Sequence, residues 1–241
     1  MTTAIFIQAR LKSSRMPYKV FHKINQTSVL ERTIGECRKV QNAETALLVP
    51  HNEKGDFYRF LNRPKDLGII GGSESNVLSR FWKGANQLSA KTIVRITADC
   101  PLITRNLIEN AIQFYNENNF DYISNFALKN ATTEKDKNNH SSETLLSDGF
   151  SVEVFSFSAL KEAYMNAKSQ YDLEHTTTWM KNNLNCGLYF GDFHYIQGKF
   201  SLDEQRDIKN IELYLRLWEK GFIQVRSKKE ILLSLNQASK D

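Results

Sequence analysis

The chain has 241 residues, 41% of them hydrophobic and 24% charged, with a net charge of +5 from 32 basic and 27 acidic side chains. That apolar content suffices for a core, so disorder as the main state is excluded, and the length suits one large α/β domain or two small ones. The small charge excess fits a polyphosphate substrate as readily as nucleic acid. Three scattered cysteines without a C-x-x-C pair, Cys37, Cys100 and Cys186, argue against a disulfide framework or zinc ribbon and for a reducing cytoplasmic home.

Ala4–Ile7 reads as a buried strand, too short for a signal-peptide core, and no later run approaches membrane-spanning length. Ser28-Val-Leu-Glu31 is a capping box opening a helix with Leu30, Ile34, Cys37 and Val40 inward. Thr45–Val49 repeats the strand signal, Asp56–Leu61 a short helix, and Gly68–Ile70 a third apolar run. Ser75 is placed to cap a helix burying Val77, Leu78, Phe81, Trp82, Ala85 and Leu88, and Thr92–Thr97 follows as a β-branched strand. Thr104 caps the next helix, with Leu107, Ile108, Ala111, Ile112 and Tyr115 inward, before a strand at Asp121–Ser124. Residues 128–147, almost wholly polar from Lys129 to Ser147, form a loop or insertion. Beyond it come a strand at Ser151–Phe155, helices at Ser158–Ala167 and Asp172–Lys181, a strand at Leu188–Phe190, and a helix from Glu204 to Lys220 capped by Asp203. Strands alternating with helices predict a mostly parallel sheet covered on both faces, in a single domain spanning residues 1–241.

In such sheets ligands gather beyond the carboxyl ends of the strands. The loop "QARLKSSRMPYK" leaves the first strand there, setting Arg10, Lys12, Arg15 and Lys19 beside Ser13 and Ser14 with no acidic residue. Guanidinium, ammonium and hydroxyl groups suit a polyanion, and a solvated basic turn is the plainer alternative. In "IVRITADCPLI", Asp99 lies just past a strand that Pro101 stops, as a helix cap or as a ligand of Mg²⁺, which takes one or two protein carboxylates and completes its shell with phosphate and water. "FSLDEQRDIKN" offers Asp203 and Asp207 as a second carboxylate, or as acids complementing a helix dipole. "GGSESN" reads as a turn that touches a base or phosphate, or as a turn only. No P-loop, no histidine metal spacing and no G-x-S-x-G elbow occurs, and His175 reads as a packing residue within a helix.

Taken together, A-R-x-x-S-x-R-x-P-x-K at Ala9–Lys19, G-S-E-x-x-V-L-x-R at Gly72–Arg80, R-I-T-A-D-C-P-L-I at Arg95–Ile103 and D-G-F-S-V-E-V-F at Asp148–Phe155 resemble the spore-coat polysaccharide protein F branch of the cytidylyltransferases. "EH" before threonines at Glu174–Thr176 and L-D-x-x-x-D at Leu202–Asp207 follow in the same order, so the resemblance spans nearly the whole chain. Tyr18 departs from it, standing where glycine usually precedes the lysine, and "SLDEQRD" lacks the usual threonine and proline after its first aspartate.

The resemblance implies a nucleotide-diphospho-sugar transferase fold of Rossmann type, similar to glycosyltransferases of the GT-A class. It implies Mg²⁺, CTP as donor, and a nonulosonic or octulosonic sugar acid as acceptor, giving a CMP-sugar and pyrophosphate for surface polysaccharide or glycan synthesis. By the same resemblance Arg10, Lys19 and Asp99 are catalytic, Ala9, Arg10, Ser13, Arg15, Lys19, Ser73, Asn76 and Arg80 bind nucleotide, and Asp99 and Asp203 hold the metal. Asn125, Asp148, Glu153 and Glu174 are the candidates for the sugar pocket. No nucleic acid or membrane partner is expected, and an amphipathic C-terminal half with exposed aromatics is compatible with a homodimer. A glycosyltransferase of the same fold would favour a D-x-D pair, but Cys100 and Pro101 follow Asp99; an RNA-binding protein would need aromatics among the loop cations, which offer only Tyr18.

Overall fold

Seven strands join in one sheet in the computed structural model, which describes residues 2–62, 66–125, 149–189 and 199–219. β1 (Thr3–Gln8) leads through the basic loop to a ribbon of β2 (Lys23–Ile24) and β3 (Thr27–Ser28), then α1 (Val29–Arg38) and β4 (Ala43–Pro50). α2 (Lys54–Phe60), β5 (Gly68–Gly72), α3 (Val77–Gln87), β6 (Thr92–Thr97), α4 (Arg105–Glu117) and β7 (Tyr122–Ser124) continue the alternation. β8 (Glu153–Ser156), α5 (Phe157–Asn166), α6 (Gln170–Glu174), α7 (Thr178–Asn183), β9 (Cys186–Leu188) and α8 (Asp207–Glu219) complete it.

The sheet order is β5-β4-β1-β6-β8-β7-β9. Its pairs are parallel except where β8 meets β6 and β7, so β8 alone runs against the rest. Because strand side chains alternate between faces, the sheet has two cores. Ile5, Ile7, Val94 and Ile96 pack with α1 and α4, while Ala4, Phe6, Ile93 and Phe155 pack with α3 and α5. The mostly parallel sheet covered on both faces is therefore as expected.

Local chemistry explains most element starts. The Ser28–Glu31 capping box is complete, the Ser28 hydroxyl accepting from the Glu31 amide and the Glu31 carboxylate accepting from the Ser28 amide. α3 is capped by Asn76 rather than Ser75. The Asn76 side chain accepts from the Ser79 amide at 2.8 Å, and the Ser73 hydroxyl accepts from the Asn76 amide at 3.0 Å. Asn76→Ala is expected to lower unfolding stability by about 1 kcal/mol, read as a shifted urea midpoint with unchanged slope.

Three expected elements are placed differently. The helix expected over Asp172–Lys181 is two short ones, broken where Thr176 takes a left-handed backbone with φ of 32° and where Thr176 and Thr177 are buried. Of the strand expected at Leu188–Phe190, Phe190 lies outside the described residues and Leu188 ends a strand that starts at Cys186, where a Cβ on Gly187 would lie 2.6 Å from the Phe120 ring. The last helix starts at Asp207, not Glu204. One Asp207 carboxylate oxygen accepts from the Asp203 and Glu204 amides at 2.8 Å each, which folds the preceding segment into a turn and leaves the Asp203 side chain free for another role. The polar stretch at residues 129–147 and Asp148 lie outside the described residues.

Candidate active site

The basic loop starts where β1 ends. The Ala9 amide donates to the Leu48 carbonyl, and the buried Glu53 carboxylate accepts from the Leu11 and Lys12 amides at 2.7 and 3.2 Å. Glu53 thus fixes the loop's backbone from 41 residues away, which no local pattern could signal. Leu11 and Val20 are buried, so the loop is anchored at both ends while Arg10 and Arg15 stay more than half exposed. Tyr18 has φ of 57° and ψ of 18°, the left-handed conformation that glycine adopts freely, so the turn expected of a glycine is retained with a tyrosine in it. Its ring leans on Phe60, with 5.8 Å between centroids.

Past Tyr18 the chain enters a 3-10 turn that buries Lys19 and aims its ammonium at two carboxylates. Lys19 Nζ lies 2.6 Å from Asp99 Oδ2 and 2.8 Å from Asp203 Oδ1. Asp99 reaches this point because β6 ends at Thr97. Asp203 reaches it because the Leu202 amide donates to the Asp99 carbonyl at 2.9 Å, laying the two segments side by side. Arg15 also faces Asp203, at 3.4 Å, and Lys199 sits 2.9 Å from its other oxygen.

This arrangement sets the protonation states. Burial alone would lower the Lys19 ammonium, but Asp99 and Asp203 outweigh it and raise it above its ordinary value. Burial would raise the Asp203 carboxyl, yet the hydrogen bonds from Lys19 and Lys199 hold it down to about 2. Asp99 and Asp203 set their carboxyl oxygens, which are hard donors, on one cleft. That donor set fits Mg²⁺, which needs few protein oxygens when phosphate and water supply the rest. Among the described residues no group of three histidine, cysteine or acidic side chains is placed to hold a metal. Asp207, the other candidate, is committed to backbone amides and Lys199 and does not line the cleft.

One cleft collects Ala9, Arg10, Ser13, Arg15, Lys19, Arg80, Asp99, Glu174 and Asp203 of the expected site residues. Arg80 is 1% exposed, donates to the Ala9 and Leu48 carbonyls, and is lowered to about 10 by burial and by repulsion from Arg10. Gly72 makes room for it, since a Cβ there would lie 2.6 Å from the Arg80 stem. Arg10 and Glu174 face each other across the cleft mouth at 3.7 Å.

Other expected residues are not brought in. Ser73 and Asn76 build the turn and cap of α3 and do not line the cleft. Asn125 is buried, donating to the Phe150 carbonyl and accepting from the Val152 amide, which ties two backbone segments together. Glu153, expected at the sugar pocket, is not among the residues that line the cleft. It is 4% exposed and surrounded by four donors: Arg95, Tyr122 at 2.5 Å, Lys181 at 2.7 Å and Thr177 at 3.0 Å. Burial would raise its carboxyl, but Arg95 and Lys181 push it well below the ordinary carboxylate range.

Sequence reasoning missed Gln8, Arg95, Thr97 and His175 as lining residues. Arg95 and Thr97 stood inside the motif that carries Asp99, and His175 beside Glu174, so proximity to those motifs was the available signal. His175 sits at the break between α6 and α7, its ring against Tyr171 with 4.3 Å between centroids, rather than packed within a helix.

The described family named cytidylyltransferase matches residues 4–237 of the chain. The chain belongs to the cytidylyltransferase family. An uncharacterized protein of Methanocaldococcus jannaschii is 32% identical over 215 residues, covering 88% of this chain and 81% of that protein. The spore coat polysaccharide biosynthesis protein SpsF of Bacillus subtilis is 24% identical, covering 96% and 92% of the two. Among solved structures, a cytidylyltransferase of Leptospira borgpetersenii superposes with a TM-score of 0.75 at 17% identity, over 99% of this chain and 95% of that one. A CMP:2-keto-3-deoxy-manno-octonic acid synthetase complexed with CTP gives 0.65 at 11% identity, over 90% and 99%. These structures share the fold of the cytidylyltransferase described here. No helix among the described residues is long and apolar enough to cross a membrane.

Proposed function

We propose that this cytidylyltransferase transfers CMP from CTP to a sugar acid of the nonulosonic or octulosonic type, releasing pyrophosphate for polysaccharide or glycan synthesis. The observation that carries this reading is the meeting of Lys19, Asp99 and Asp203 at the carboxyl ends of β1 and β6, under a loop rich in cations. Arg10, Ser13, Arg15 and Lys19 would embrace the triphosphate, Arg80 and Ala9 would shape the nucleoside end, and Glu174 would face the acceptor.

In that reading the acceptor hydroxyl attacks the α-phosphorus in line and pyrophosphate leaves opposite it. Such a transfer needs positioning and charge stabilisation rather than a nucleophilic side chain. Arg10, Arg15 and Lys19 offset the charge that builds on the leaving pyrophosphate. Asp99 and Asp203 would hold Mg²⁺, which when bound supplies positive charge at the α-phosphate and lowers the pKa of the attacking hydroxyl. Lys19 serves both partners, holding the carboxylates in register and offering its ammonium to phosphate.

Pyrophosphate release from each of the four nucleoside triphosphates, with Mg²⁺ and a panel of nonulosonic and octulosonic acids, tests the reading. Release with CTP and at least one acid supports it; release with no triphosphate under any acid overturns it. Lys19→Ala is expected to raise KM for CTP by roughly tenfold or more and to leave KM for the acceptor within about twofold, as measured by steady-state kinetics. Equal effects on both substrates would make Lys19 a structural lysine.

A further inference from the structure

On the α3 and α5 side of the sheet, the core turns polar toward the carboxyl ends of the strands. Ala4 and Phe6 of β1 pack in that core and Gln8 is the next residue on their face; Ile93 of β6 packs there and Arg95 is the next. Phe155 of β8 belongs to the same core and Glu153 precedes it on that face, directly paired with Arg95 in the strand register. A cation at a core-facing strand position is costly unless it is paired and used.

Arg95 is held at two of its three guanidinium nitrogens. Its Nε donates to Gln8 Oε1 at 3.1 Å, and one terminal nitrogen donates to Glu153. Its other terminal nitrogen makes no hydrogen bond among the described residues, and the side chain, 17% exposed, lines the cleft with Thr97, Asp99, Glu174 and His175. Glu153 is shared with Lys181, so one carboxylate faces two cations. Through Thr177, Glu153 also pins the chain just after His175. A planar guanidinium held at two nitrogens presents its remaining N–H groups in a fixed direction, suited to a carboxylate or phosphate oxygen.

We propose that Arg95 is a substrate-binding residue that receives the carboxylate of the acceptor, with Glu153 and Gln8 as the positioning residues that aim it. This rests on the sugar-acid reading above. The other anionic source is the nucleotide, which has its own cations on the loop after β1. Arg95 lies instead between β1 and β8, next to the Glu174–His175 elbow.

The test compares the best acid of the panel with its neutral C1 amide, at saturating CTP, in wild type, Arg95→Gln and Arg95→Lys. The lysine variant keeps a cation beside Glu153 and so guards against a folding defect. CTP affinity is measured separately by calorimetry. Wild type is expected to favour the acid by roughly 10- to 100-fold in kcat/KM, and both variants to lose most of that preference, with CTP affinity within about twofold. An acid preference that survives in both variants overturns the assignment, and so does a tenfold loss of CTP affinity, which would give Arg95 to the phosphates. A wild type inert toward every acid removes the sugar-acid reading and this assignment together, whereas an active wild type with unchanged preference in the variants removes the assignment alone.

Discussion

Asp99→Asn is expected to slow pyrophosphate release from CTP by on the order of 100-fold or more, the scale seen when one preorganised electrostatic group is removed from an active site. The amide keeps the shape of the carboxylate but loses the charge that Lys19 faces at 2.6 Å and that a Mg²⁺ ligand must carry. Stability should change little. The Asp99 side chain is 26% exposed, and Lys19 retains Asp203 at 2.8 Å, so the ammonium keeps a partner. Steady-state turnover beside a thermal melt separates the two effects. Turnover within about threefold of wild type would remove Asp99 from the chemistry, since the expected loss is far larger.

The largest stability effect is expected at Glu153. Truncation to alanine strips one buried acceptor from Arg95, Lys181, Tyr122 and Thr177 at once. Removing one partner of a buried ion pair costs about 3–5 kcal/mol because the remaining charge stays desolvated. In a protein of this size that corresponds to a drop of roughly 10 °C in Tm, readable by calorimetry or circular dichroism. The pH dependence has a definite sign. Because the folded carboxyl lies below its ordinary value, its contribution is present above the ordinary carboxylate range and is lost as pH falls below that range toward the folded value. Wild type should therefore lose more stability on acidification than Glu153→Gln. Parallel acid titrations of the two proteins would show Glu153 to be dispensable.

The fold was readable because its signals are local. Apolar runs, the Ser28–Glu31 capping box and the Thr104 cap all act within one element, and each formed as expected. The loop cations and Asp99 were readable for a related reason, since a residue just past a strand has its place in the fold set by that strand. What remained hidden depends on contacts between distant segments. Glu53 holds the loop from the far side of β4, and the Thr177 hydroxyl bonds Glu153, beside the left-handed Thr176 that breaks a helix which spacing alone would continue. Asn76 competes with Ser75 only through which side chain reaches the Ser79 amide. Arg95 was passed over, and Glu153 was expected at the sugar pocket, because a strand pattern gives alternation without saying which face opens onto a cleft.

The ammonium of Lys19 closes contacts of 80 and 184 residues along the chain, to Asp99 and to Asp203. Closures that long come late in folding, since the entropy of joining distant segments is spent before the contact rewards it. During synthesis β1, β4 and β6 can pair while Lys19 still has one acid to face. The second arrives only when the segment leading into α8 docks against the end of β6. Chains cut short after α7 would keep the β4-β1-β6 strands and lack Asp203, so the Lys19 ammonium would face Asp99 alone.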